Sequence, residues 1–163
     1  MGIHYTLYNN IKIGAYYRFI RDKQLDDSYS SKHRYYFDAA IKQKIKKFSL
    51  QFRYRFQSQW ADIYSSESGK IPQAISRYKF TVRFLPDKLF KPFLAIEAFH
   101  DPEEGIFDKM RYVGGIEYEL DKQNMINVFY LIQKEINVKA PLSDFIIGTG
   151  YDFKFWIFSS LSA

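Results

Sequence analysis

The chain has 163 residues, with 24 Lys and Arg against 18 Asp and Glu, no Cys, and 14 Tyr, 16 Phe and 2 Trp. That length suits one domain with a real core or a closed barrel, and so aromatic a composition excludes a disordered chain. No stretch nears the ~18 uncharged apolar residues of a membrane-spanning helix, and without Cys there is no disulfide framework and no thiolate ligand or nucleophile.

Period-two alternation runs along nearly the whole sequence, and helical periodicity is not convincing anywhere. It predicts strands over Ile3–Tyr8, Ile11–Ile20, His33–Gln43, Phe48–Trp60, Arg77–Phe84, Phe93–Phe99, Arg111–Leu120, Ile126–Gln133 and Phe145–Phe155. No basic, apolar and small-residue export signal precedes the first of them. A cytoplasmic protein and a mature or truncated exported one are both open at this point.

The predicted connections alternate in length. Short ones fall at Asn9-Asn10, Lys44–Lys47, Leu85–Pro92 and Asp121–Asn124, and long polar ones at Arg21–Lys32, Ala61–Ser76, His100–Met110 and Lys134–Asp144. Transmembrane barrels segregate their connections in this way, with short turns on the periplasmic side and long loops outside.

Charge is one-sided. In the fourth strand Phe48, Leu50, Phe52, Tyr54, Phe56 and Trp60 share one face, while Arg53, Arg55 and three glutamines share the other. From the second strand onward every charge inside the predicted spans lies opposite the apolar face. These are Lys12, Arg18, Arg34, Asp38, Lys42, Arg53, Arg55, Arg77, Lys79, Arg83, Glu97, Arg111, Glu117, Glu119, Asp152 and Lys154. With the parity of each strand left free, chance gives such order about once in 500. The surplus of bases in this set equals the net charge of the chain, +6.

A soluble barrel turns its apolar face inward, whereas an outer-membrane barrel turns it to lipid and lines its lumen with the charges. Three features favour the second arrangement. Strands of about ten residues match the ~9–11 needed to cross a bilayer at a tilt. Gly14, Gly115, Gly148 and Gly150 lie on the charged face, as a crowded interior requires. Aromatics mark both ends of the apolar face, Tyr35, Trp60, Tyr78 and Tyr112 toward the long loops and Phe48, Phe84, Tyr118 and Phe155 toward the short turns, which resembles two interfacial girdles. The expected fold is an all-β, antiparallel up-and-down transmembrane barrel.

Five segments carry a family resemblance: Gly14–Phe19, Phe52–Gln59, Pro92–Glu97, Arg111–Tyr118 and Phe129–Glu135. They are similar to the Gram-negative outer-membrane β-barrels known as domain of unknown function 2490. The resemblance implies about twelve strands, an exported precursor and residence in the outer membrane, and no established activity. The partners expected there are outer-membrane lipid, lipopolysaccharide and the insertion machinery. Gly150, Phe153 and Phe155 resemble the terminal signal read by that machinery, although Trp156–Ala163 follow as a tail. A plain amphipathic strand accounts for the same residues.

The charged face admits two uses. One is a salt-bridged ladder that fills a narrow barrel. The other is a basic constriction that favours anionic solutes. An enzyme of this architecture, a lipid hydrolase or deacylase, would need a Ser–His pair at the outer rim, and Ser31 with His33 is the candidate, with Asp26 and Asp27 nearby. Asp101–Gly105 with Asp108 offers carboxylates to Ca²⁺ but lacks an EF-hand spacing. No metal site or cofactor is expected, and a soluble ligand-binding barrel is the remaining alternative. Nucleic acid is not expected either, because stacking on bases needs aromatics and bases on one face. Residues 1–155 are expected to form one domain with a tail at 156–163. Nine strands cannot close antiparallel, so a barrel lacking N-terminal strands and a signal peptide is expected, with Ile3–Tyr8 and Phe145–Phe155 as unpaired edges.

Overall fold

A computed structural model describes residues 1–8, 10–23, 27, 29–60, 73–86, 89–121 and 123–153. Among the described residues nine strands follow one another: β1 (Gly2–Tyr8), β2 (Ile11–Lys23), β3 (Tyr29–Ile45), β4 (Phe48–Trp60), β5 (Gln73–Phe84), β6 (Phe90–Asp101), β7 (Ile106–Glu119), β8 (Asn124–Glu135) and β9 (Ser143–Phe153). They form one sheet in chain order, each antiparallel to the next. Every predicted strand is present, and β4 has the predicted bounds.

Among the described residues β1 pairs only with β2 and β9 only with β8, so the sheet is unclosed and the two expected edges are unpaired. Odd-numbered strands share one direction, so β1 and β9 run parallel. Direct pairing between them would break the antiparallel ladder.

The connections are less unequal than expected, because the strands run on into the long loops. β2 and β3 extend to Lys23 and Tyr29, where Arg21 stands over the Tyr29 ring at 4.3 Å. The connection expected over His100–Met110 is a tight turn at 102–105. Asp101 builds it, accepting the N–H groups of Glu103 and Glu104 at 2.8 and 3.2 Å, while Gly105 takes a φ of 68°. The residues between β4 and β5, and the tail with Lys154 and Phe155, lie outside the described residues.

All fifteen charged residues of the expected set that fall within the described residues share one face, as the register requires. This face is the buried one. Glu97 is 2% exposed, and Ala95 and Phe99, the buried apolar residues, stand beside it on the same face. On the opposite face Phe52 is 44%, Phe80 42%, Leu94 69% and Ile147 79% exposed. A single sheet has no second layer, so only its own curvature can bury a face. The charged side is concave, and the orientation required by a soluble barrel is reversed.

Glycines make that curvature possible. A Cβ at Gly115 would stand 2.7 Å from the Val128 carbonyl oxygen and 2.8 Å from the Phe129 Cβ. A Cβ at Gly148 would meet the Phe129 ring at 2.3 Å. The Phe129 ring therefore lies over Gly148 of β9 on the concave side, and the Phe93 ring reaches Gly115 of β7. Strand glycines commonly mark such close approaches.

Candidate functional site: a charged concave wall

Antiparallel pairing places residues directly opposite one another on the same face. One row crosses all nine strands in this way: Thr6, Lys12, Ala40, Arg53, Lys79, Glu97, Arg111, Gln133 and Asp144. Charges far apart in sequence thus meet by register alone.

Glu97 is the hub of the row. Arg53 donates to its Oε1 at 2.9 Å from two strands away, Arg77 donates to both oxygens at 3.1 Å, and Arg111 stands 3.5 Å from Oε2. Three guanidinium groups around one carboxylate satisfy its lone pairs and still leave excess positive charge. Around the hub, Arg55 grips Asp38 through two hydrogen bonds, Arg83 donates to Glu117 at 2.7 Å, and Lys91 pairs with Glu119. Arg34 uses a neutral acceptor instead, and Arg111 uses one besides Glu97: the side-chain carbonyls of Gln59 and Gln133, each at 2.6 Å. Arg34 stands opposite Arg18 in the register. Asp152, on the open β9 edge, accepts from Asn127 at 3.3 Å.

Ion pairs thus join many of these charges, but not all of them. Lys79 forms no hydrogen bond or ion pair with any described residue, and Nε of Arg53 and of Arg83 are buried without an acceptor. A trough of about 440 Å³ opens here, walled by five bases and two carboxylates on β4–β7.

Aromatic rings stand among these charges. Arg55 lies over Tyr36 at 4.2 Å, and Arg77 and Arg111 both lie over Phe99, at 4.8 and 4.9 Å. Such contacts stabilise guanidinium groups held away from water. Aromatics and bases thus share one face, which removes the ground on which nucleic acid was discounted. Phe93 and Phe99 have the parity of Glu97, so the alternation itself carried the signal.

The apolar face is ordered in the same way. Tyr8, Ile11, Ile41, Phe52, Phe80, Ile96, Tyr112, Ile132 and Phe145 form a continuous row across the sheet. Phe48 touches Phe84 and Tyr118 touches Phe90 near the short-turn ends, and Tyr35 meets Trp60 edge-on near the other end. Tyr78 and Tyr112 do not stand at that end. β5 and β7 begin four or more residues earlier than the charge pattern suggested, which leaves both rings near mid-strand.

The Ser31–His33 pair is brought to one face of β3 but not joined. His33 Nδ1 shares a 2.7 Å hydrogen bond with the Tyr17 hydroxyl, and its ring packs against Tyr17 and Phe19. Asp27 pairs with Lys23, and Asp26 lies outside the described residues. Ser31 and His33 do not form an activated pair among the described residues. The Asp101 carboxylate is occupied with its own turn, and no group of three metal-ligating side chains occurs among the described residues. Gly150 lies opposite Asn127 and Phe153 opposite Asn124, both within β9.

Outside the strands, Asp121 holds the β7–β8 turn. It accepts the N–H groups of Gln123 and Asn124 and the Asn124 side-chain amide, which keep its carboxyl below the usual Asp range.

No curated protein and no solved structure matches the chain. Residues 1–140 match the model of a family described as a protein of unknown function, DUF2490.

Proposed function

The chain belongs to the DUF2490 family, and from that premise we propose that it is a non-enzymatic β-barrel protein of a Gram-negative outer membrane. Its role in this reading is structural or that of a narrow pore with a basic lumen. Outer-membrane lipid and lipopolysaccharide meet the Phe, Ile and Leu face, and the charges face water inside. The observation that carries the reading is the inverted burial: Glu97 is hidden in a sheet whose Phe80 and Leu94 stand exposed.

Elementary energetics support it. Each large apolar side chain gains about 1.5–3 kcal/mol on leaving water, so a whole exposed face of them needs an apolar surrounding. Lipid supplies one without a second protein layer. Strands of 11 to 17 residues from β2 to β9 are long enough to span a tilted path through a bilayer. Insertion machinery delivers the chain in this reading, with Gly150 and Phe153 in its terminal strand as the recognised element.

Detergent phase partition followed by bilayer recording tests the proposal. The chain is expected in the detergent phase and at the density of lipid vesicles after flotation. Recovery in the aqueous phase, with vesicles unlabelled, would sink it. Conductance with different anions and cations then separates a pore, which should favour anions, from a plugged structural barrel.

A further inference from the structure

The trough on the concave wall is two-sided. Arg53, Lys79 and Arg83 stand on β4 and β5, whereas Phe93, Phe129 and Leu131 stand on β6 and β8. Cations dominate the first side, apolar side chains stand among Glu97, Arg111 and Glu117 on the second, and all belong to the same buried face.

We propose that this trough binds a small organic anion with an apolar body, an aromatic carboxylate in chemical class. One cation is unfilled, and the guanidinium groups beside it are only partly satisfied. Lys79 has no partner among the described residues, and the Arg53 and Arg83 Nε groups are buried without an acceptor. A bound carboxylate would give the Lys79 ammonium the acceptor it lacks. Charge-assisted bonds to Lys and Arg fix the carboxylate end. The Glu97 hub cannot serve as that end, because its oxygens already hold Arg53, Arg77 and Arg111. Those guanidinium groups neutralise it, which leaves the Lys79 ammonium, opposite it in the register, to anchor the carboxylate. The apolar flank then selects a ring over an inorganic ion.

The inference rests on the charged face being open to water, as in the proposed barrel. Equilibrium dialysis of the full chain in detergent micelles tests it with three probes: 2-naphthoate, the naphthylmethylammonium cation of similar shape, and inorganic phosphate. Micelles without protein supply the baseline. Saturable binding of 2-naphthoate is expected, at least tenfold tighter than either other probe. Lys79→Met should weaken it about tenfold, and Leu131→Ser should weaken 2-naphthoate several-fold while leaving phosphate unchanged. Equal retention of the cation, phosphate binding as tight as naphthoate, or unchanged affinity in Lys79→Met would each overturn the assignment. Phase partition of the same preparation reports separately on the membrane reading, so the two can fail independently.

Discussion

The Arg55 guanidinium meets the Asp38 carboxylate through two hydrogen bonds, Nε to Oδ1 at 2.6 Å and Nη2 to Oδ2 at 2.7 Å, between residues directly opposite each other in the β3–β4 ladder. The guanidinium also lies over Tyr36. A planar fork suits both contacts, and a lysine ammonium reproduces neither. Arg55→Lys should therefore destabilise the sheet by about 1.5–3 kcal/mol, the range for a hydrogen bond to a charged group. Urea titration in micelles measures it. The double variant with Asp38→Asn should lose clearly less than the sum of the two single losses.

Gly115 is the position least able to accept a side chain. A Cβ there would press on the Val128 carbonyl oxygen and on the Phe129 Cβ, neither of which can swing away as a side-chain tip can. Gly115→Ala should cost about 1–3 kcal/mol, the range for overpacking. Gly105→Ala tests a different cause. It meets no neighbour within 4 Å, and its penalty comes from a φ of 68°. Thermal unfolding should rank Gly115→Ala as the more damaging of the two.

Much of the fold was legible because a strand hides its information in parity. The alternation in Phe48–Trp60 set both the bounds and the faces of β4. The strand ends were not legible where charge runs into them, as at Arg21–Lys23 and Lys109, since polar residues at a strand end look like loop. Long-range pairing was not legible at all. That Arg53 would reach past Lys79 to Glu97 follows from register and curvature, which no single strand encodes. Phe99 sits two residues from Glu97 and shares its parity, but an aromatic in an alternating strand looks by composition like a member of the apolar face. Ser31 and His33 share a face by parity, but nothing in β3 reveals that Tyr17 on β2 takes the imidazole.

Acid should reach the β7–β8 turn late. The carboxyl of Asp121 is lowered in the folded chain by hydrogen bonds from Asn124 and Gln123. A group lowered on folding contributes stability that is complete above its unfolded value, about 3.9 for Asp, and is lost as pH falls through the lower folded value. Amide exchange at Gln123 and Asn124 should stay slow at pH values where ordinary carboxylates have protonated. Asp121→Asn should remove the pH dependence. Acceleration at the ordinary Asp value in the unaltered chain would contradict this.

Phe80 lies in the middle of the apolar row, between Phe52 and Ile96. In a lipid-facing position Phe80→Arg should cost about 2–4 kcal/mol near the bilayer midplane. The same change at a water-exposed site would be close to neutral. Equilibrium unfolding from lipid vesicles distinguishes the two. A loss under about 0.5 kcal/mol would speak against lipid at this face.

The adjacent rows through Ile41, Phe52, Phe80, Ile96 and Ile132 and through Ala40, Arg53, Lys79, Glu97 and Gln133 present opposite sides of one sheet, and the central claim is that the first meets lipid and the second water. The chain has no Cys, so single cysteines can be introduced cleanly along β5 at Phe80, Thr81 and Val82 and carry spin labels in lipid vesicles. Accessibility to oxygen, which concentrates in the bilayer, against a water-soluble nickel relaxant is the direct measurement. The account predicts that Phe80 and Val82 favour oxygen while Thr81 favours nickel, a two-residue alternation. The opposite alternation, or equal access to nickel at all three positions, would contradict it.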